Sequence, residues 1–140
     1  MLFLVDKSAH EVARRDHAAR RQFETLAVTG LLATCAMVEL EILFSARNVA
    51  EHSTLRRYLH EQCVWLETTD ETLSDAIDIQ AQMLAAGMGR KPLPDLIIAA
   101  VGRTYDAVVL HHDRGFDDIA KVVEGVTSRW IARPRKGKAR

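Results

Sequence analysis

Four acidic residues occupy positions from which this chain could do chemistry: Asp6, Glu39, Asp95 and Asp113. Asp6 follows the apolar run Leu2-Phe3-Leu4-Val5, and Asp113 follows Ala107-Val108-Val109-Leu110 after only His111 and His112. Asp95 stands beside Pro94 at the head of the apolar segment Leu96-Ile97-Ile98-Ala99-Ala100-Val101. Glu39 lies in an apolar stretch that begins at Cys35. On a helical wheel it falls among Cys35, Ala36, Ile42 and Leu43. Glu41 lies roughly 200° away around that wheel, near Met37 and Ser45, on the side expected to face solvent. A carboxylate inside an apolar arc is costly unless it is paired, protonated or bound to a cation.

Each of the four has an ordinary explanation by itself. Asp6 reads as a turn former or helix cap, and Asp95 as a first-turn acid favoured by the helix dipole. Asp113 reads as a turn residue before Gly115, and Glu39 as the partner of a buried Arg. Together they point elsewhere. Uncompensated carboxylates within about 4 Å of one another repel by roughly 1–4 kcal/mol per pair, so a cluster of them implies a cation. Oxygen ligands alone select a hard ion, Mg²⁺ with Mn²⁺ as a substitute, over zinc. His111 and His112 would suit a softer metal, but a His pair beside a strand end reads as structural.

The elements that must position these groups alternate between strand and helix. Leu2 to Val5 is the first strand. Ser8-Ala9-His10-Glu11 has the spacing of a capping box and predicts one long polar helix reaching about Leu26. Thr29-Gly30 ends it, Leu31-Leu32-Ala33 is a second strand, and Thr34 is expected to cap a helix from Cys35 to about Ala46. A helix over 49–62, the strand Val64-Trp65-Leu66, and a helix from Asp70 to Ala86 behind a Thr-Thr-Asp cap come next. Residues 87–92 form a loop. Pro94-Asp95 opens a helix, residues 107–110 a strand, Phe116 to about Val122 a short helix, and 126–131 a last strand. This alternation predicts an α/β fold with a mostly parallel sheet flanked by helices. In such a sheet Asp6 and Asp113 share the carboxyl edge, where ligands bind at the topological switch point.

With 140 residues, 48% hydrophobic and 27% charged, the chain has the makings of one globular domain with its own core. That domain is expected over residues 1–132, followed by a basic tail, 133–140, with five Lys or Arg in eight residues. A formal net charge of zero excludes global attraction to a polyanion and leaves only local patches for that role. The N-terminal apolar run is too short for a signal peptide or a membrane span. Cys35 and Cys63 form no metal or redox motif and read as buried thiols, in keeping with a reducing cytoplasm.

Four segments, in order, resemble the PIN-domain ribonucleases, and among them the VapC-type toxins of toxin–antitoxin pairs. They are Leu4-Val5-Asp6-Lys7-Ser8-Ala9, Val38-Glu39-Leu40-Glu41-Ile42-Leu43, Pro94-Asp95-Leu96-Ile97-Ile98-Ala99-Ala100 and His111-His112-Asp113-Arg114-Gly115-Phe116-Asp117. The resemblance implies a five-stranded parallel sheet and a metal-dependent endonuclease that cuts RNA. By motif position Asp6 and Asp95 would be the principal metal ligands, with Glu39 and Asp113 completing the cluster. Ser8 matches the small hydroxyl residue that follows the first Asp. Many relatives carry a further Asp or Asn where this chain has Gly115, which leaves a second ion short of a ligand unless Asp117 or Asp118 substitutes. The family also implies a cognate antitoxin and a homodimeric toxin.

RNA would need positive charge near the cleft, and Arg14, Arg15, Arg90, Lys91, Arg114 and the tail are the candidates for salt-sensitive phosphate contacts. With only two Trp, two Tyr and four Phe, no stacking platform is evident, so recognition by shape is expected. Three other readings stay open: another Mg²⁺-dependent phosphoesterase, a DNA nuclease, and a non-catalytic interaction module whose acids merely cap helices. A phospho-acceptor receiver domain is disfavoured, because Lys7 stands where that family has a second carboxylate.

Overall fold

Short aliphatic runs with no polar alternation specify strands buried on both faces; such runs form the three central strands here, and two partly exposed strands, Val64–Leu66 and Thr127–Trp130, make the edges. A computed structural model describes residues 1–133, so the basic tail lies outside the described residues apart from Arg133. The strands are β1 (Leu2–Val5), β2 (Leu31–Cys35), β3 (Val64–Leu66), β4 (Val108–His111) and β5 (Thr127–Trp130). They form one parallel sheet in the order β3-β2-β1-β4-β5. The helices are α1 (Lys7–Arg15), α2 (His17–Thr29), α3 (Ala36–Leu43), α4 (Val49–Gln62), α5 (Asp70–Ala85), α6 (Leu93–Thr104) and α7 (Arg114–Val122).

Alternate side chains of β1 divide the core. Phe3 and Val5 pack with Val12, Ala13, Leu26, Leu32 and Leu110 on the α1–α2 side. Leu4 turns to the other face and meets Val38, Ile98, Val101, Val109 and Phe116. Ile79, Met83, Leu96, Ala99 and Ile119 form a third cluster among α5, α6 and α7. Helix α6 lies close on β4 because residue 102 is a glycine: a Cβ there would stand 3.0 Å from Val109 Cγ2 and 3.3 Å from the Ala107 carbonyl oxygen. The chain leaves β1 in one direction to β2 and β3, then returns on the other side to β4 and β5. The switch point is therefore the gap between the carboxyl ends of β1 and β4, directly before Asp6 and Asp113.

The helix expected from Ser8 to about Leu26 is two helices. Asp16 stands between α1 and α2 in an extended conformation, and its Oδ2 accepts from the Ala19 N–H at 2.9 Å. An Asx cap competes with helix continuation at such a position. The capping box does not form either. Asp6 is the N-cap of α1, and Glu11 reaches Lys7 Nζ at 3.4 Å instead of turning back to the cap. Thr34 stays in β2 with its hydroxyl buried and unbonded, while Cys35 takes the cap position of α3 without a side-chain bond. The Thr69 cap of α5 is present, its hydroxyl accepting from the Thr72 N–H at 3.1 Å.

Replacing Asp16→Ala removes the acceptor for the first turn of α2. The expected loss is about 0.5–2 kcal/mol of unfolding free energy, measured by urea denaturation against the unsubstituted chain.

Candidate active site

Asp6 is the first residue beyond β1, and its carboxylate is 5% exposed. Its Oδ2 accepts from the Ser8 N–H at 3.0 Å and from the Ser8 hydroxyl at 2.6 Å. The same hydroxyl oxygen accepts from the His112 N–H at 2.9 Å. Ser8 therefore ties the end of β1 to the segment that follows β4. Asp113 lies in that segment as N-cap of α7, with Oδ1 accepting from the Gly115 N–H at 2.9 Å. Asp95 enters from a third direction, in the first turn of α6, and is 7% exposed.

Gly115 shows how close the last two come. A Cβ at that position would lie 3.3 Å from Asp113 Oδ1 and 3.4 Å from Asp95 Oδ2. The two oxygens flank one small space that the absent side chain leaves open.

The electrostatics agree. Burial first, and then the negative charges of Asp6, Asp113 and Glu41, raise the Asp95 carboxyl to about 7, with Lys91 opposing them. Asp6 is also held above its ordinary value, by burial first and by Asp113, against the bonds from Ser8. Glu41 is raised by burial and by Asp6. The acids that act on one another are thus Asp6, Glu41, Asp95 and Asp113.

Glu39 and Glu41 exchange the places expected for them. Glu39 is 4% exposed, as the apolar arc implies, but its carboxylate faces α4, with His60 Nε2 at 3.0–3.1 Å from its oxygens and Arg56 Nε at 3.8 Å. It is not among the acids acting on Asp95. Helix α3 packs against α4 on one side and α1 and α6 on the other, so two of its faces are covered. The wheel separates apolar from polar positions and is blind to which covered face borders the other acids. Glu41 is the site residue that the periodicity hides, and its signal was only a second acid two positions on.

Asp117 is likewise engaged elsewhere. Its Oδ1 accepts from His111 Nε2 at 3.0 Å and Ser128 Oγ at 2.7 Å, and its Oδ2 from Trp130 Nε1 at 2.5 Å. Burial raises its pKa, but those donors outweigh it and the net shift is downward. Asp118 pairs with Lys91 Nζ at 2.8 Å. Neither carboxylate supplies what Gly115 lacks. Arg114 is exposed beside Asp113 at the start of α7, and Arg90 is exposed in the loop before α6. Arg14 is exposed at the end of α1 and borders a groove against α4.

Among the described residues no three His, Cys, Asp or Glu side chains already enclose a metal-sized point. A Mg²⁺ ion needs less, because it keeps several waters and takes one or two carboxylates directly. The donor set is all oxygen, Asp95 stays raised despite the charge of Lys91, and the space beside Gly115 is open to Asp95 and Asp113. The residues fit a hard divalent ion held by Asp6 and Asp95, with Asp113 and Glu41 within reach through water.

Comparison with known proteins gives the same outline. The family model described as PIN domain matches residues 4–122. Ribonuclease VapC21 of Mycobacterium tuberculosis is 36% identical over 135 residues, 94% of this chain and 95% of that protein. Ribonuclease VapC51 of the same species is 36% identical over 129 residues, 92% of each. VapBC-1 from nontypeable Haemophilus influenzae superposes with a TM-score of 0.76 at 14% identity, over 95% of this chain and 100% of that one. VapBC2 from Rickettsia felis, bound to a DNA fragment from its promoter, superposes at 0.73 and 15% identity, over 93% and 98%.

The elevated Asp95 carboxyl carries a stability signature. A carboxyl whose folded-state pKa lies above its unfolded value adds stability while protonated, and this contribution is lost as pH rises through the window, here from the ordinary 3.8 to about 7. Asp95→Asn in EDTA is therefore expected to melt higher than the unsubstituted chain at pH 8, by several degrees for the few kcal/mol involved. At pH 5, inside that window, the difference should shrink to roughly half or less, since it vanishes only below the unfolded value. Thermal melts at the two pH values check this.

Proposed function

The chain belongs to the VapC branch of the PIN-domain family, and on that footing we propose that it is a Mg²⁺-dependent endoribonuclease acting as the toxin of a toxin–antitoxin pair. The observation that carries the proposal is the meeting of Asp6, Glu41, Asp95 and Asp113 at the switch point of a parallel sheet, with Asp95 raised to about 7. Asp6 and Asp95 would hold the ion. A bound divalent ion supplies a water of lowered pKa and positive charge for the phosphate under attack. The chain's own residues do the rest. Ser8 fixes the Asp6 carboxylate by donating to Oδ2. Arg90 and Arg114, exposed at either side, bind the flanking phosphates. Manganese substitutes for magnesium because the ligands are oxygen alone.

The antitoxin partner has a place to bind. A groove of about 840 Å³ runs between α1–α2 and α4, with Phe23, Ile42, Leu55 and Leu59 on its walls and Arg14 and Arg20 also lining it. His10 lines it as well and has a buried Nε2 without a hydrogen-bond partner among the described residues. An amphipathic helix suits such a groove, whose charged lining mixes Lys7, Arg14 and Arg20 with Glu11 and Glu24. A homodimer would cover the exposed apolar row Leu73, Ile77 and Leu84 on α5. Among the described residues no helix is long and apolar enough to cross a membrane, and we place the toxin in the cytoplasm with its RNA.

Purified protein incubated with total cellular RNA is expected to yield discrete fragments with Mg²⁺ or Mn²⁺ and none with EDTA. Asp6→Asn should lower the rate at least about 100-fold while circular dichroism shows a folded chain. Cleavage of DNA or phosphate monoesters instead would move the assignment to another phosphoesterase. No cleavage and no metal-induced rise in Tm would leave an interaction module.

A further inference from the structure

Among the described residues, one titratable side chain beside the site is fully buried and bonded on both ring nitrogens, yet the chemistry above gives it no role. His111 ends β4 with no exposed surface. Its Nδ1 lies 3.1 Å from the Asp113 backbone nitrogen. A backbone N–H only donates, so Nδ1 is the bare acceptor nitrogen and Nε2 carries the hydrogen. That hydrogen goes to Asp117 Oδ1 at 3.0 Å. Asp117 is itself fixed by Ser128 Oγ and Trp130 Nε1, donors that both come from β5. The imidazole is packed between Phe116 and Trp130, with ring centroids 5.5 and 5.0 Å away.

We propose that His111 is a positioning residue, acting through the Asp113 amide to aim the Asp113 carboxylate at the space it shares with Asp95. Asp117 is the anchor that holds His111 in the required tautomer. The inference rests on the metal-dependent nuclease reading above. Asp113 has an extended backbone, φ −147° and ψ 117°, immediately before α7. With its amide held from behind, its carboxylate caps Gly115 and stands 3.3 Å from the space that Asp95 borders at 3.4 Å. A carboxylate supporting a histidine that in turn orients a ligand is a recurrent outer-shell arrangement, and its loss commonly costs about 10–100-fold in metal affinity.

The bond from Asp113 N–H to a side chain two residues earlier is the one an asparagine makes in an Asx turn. Its Oδ1 can take the place of the imidazole Nδ1. This allows a test that separates positioning from packing. Three full-length variants, His111→Asn, His111→Gln and His111→Leu, are compared by Mn²⁺ binding in the absence of RNA, read from the free-ion electron paramagnetic resonance signal, and by kcat and KM for RNA cleavage. Asn restores the acceptor, Gln reaches toward Asp117 without restoring it, and Leu removes both bonds. His111→Asn is expected to stay within about threefold of the unsubstituted protein, while Gln and Leu weaken Mn²⁺ binding by about 10–100-fold. Their loss of rate should fall in kcat with KM for RNA unchanged.

Unchanged Mn²⁺ affinity in a folded Gln or Leu variant overturns the proposal. Equal loss in all three overturns it too, since it would show that burial of the ring matters and the amide bond does not. If His111→Leu fails to fold, the Asn–Gln comparison decides alone. An unsubstituted protein that neither binds Mn²⁺ nor cleaves RNA is a separate result: the nuclease reading itself falls, and the role of His111 with it.

Discussion

Ionising Asp95 beside Asp6, Asp113 and Glu41 costs free energy, and the fold has to supply it. No salt bridge to these four acids is formed by the described residues, although the Lys91 charge reaches Asp95. The arrangement persists because each acid is fixed to a different rigid element: the end of β1, a turn of α3, the start of α6 and the start of α7. None can retreat without moving an element whose other face lies in the core. Leu4, Val38, Ile98, Val109 and Phe116, which sit on or near those elements, form one continuous apolar cluster. Burial of that kind contributes roughly 1.5–3 kcal/mol per large side chain. Against it, a repulsion of a few kcal/mol is sustainable, and a cation relieves it.

The hydrogen bonds around the acids show a division of labour. Asp6 and Asp113 also cap helices, through Ser8 and Gly115, so their orientation follows from backbone geometry. Glu39 and Asp117 are spent on neighbouring elements, Glu39 joining α3 to α4 and Asp117 joining α7 to β4 and β5. Acids of the same type, within a few positions of each other, thus serve as site groups or as braces. What separates them is the presence of a dedicated donor. Asp117 accepts from three side chains and is pulled below its ordinary pKa, whereas Asp95 lies among like charges and rises.

Much of this was legible in the sequence. Apolar runs located β1 to β4, the stretch 126–131 marked the last strand, and the parallel alternation put Asp6 and Asp113 on one edge. The motif order located Asp95. What the sequence withheld were decisions made in three dimensions. The wheel flagged Glu39 as abnormally placed and it is buried, but its partners are His60 and Arg56 on α4, more than fifteen positions away. Glu41 was read as solvent-facing, since periodicity does not show that α3 has α1 and α6 beyond its second face. Asp16 ended a helix that composition would have continued, because one side-chain acceptor outweighed propensity locally.

The Ser8 hydroxyl joins residues 104 positions apart in sequence. Contacts of that separation are late events in folding, because a long loop must close before they form. During synthesis the amino-terminal strand and its acid emerge long before α6 and β4 exist to meet them. A ribosome-bound chain that has reached only α5 holds Asp6 and Glu41 but neither Asp95 nor Asp113. Under the proposed function an unfinished copy of this chain, lacking two of the four acids, would be harmless to the RNA of the machinery making it, and whatever restrains the finished copy would have until the last strands fold to arrive.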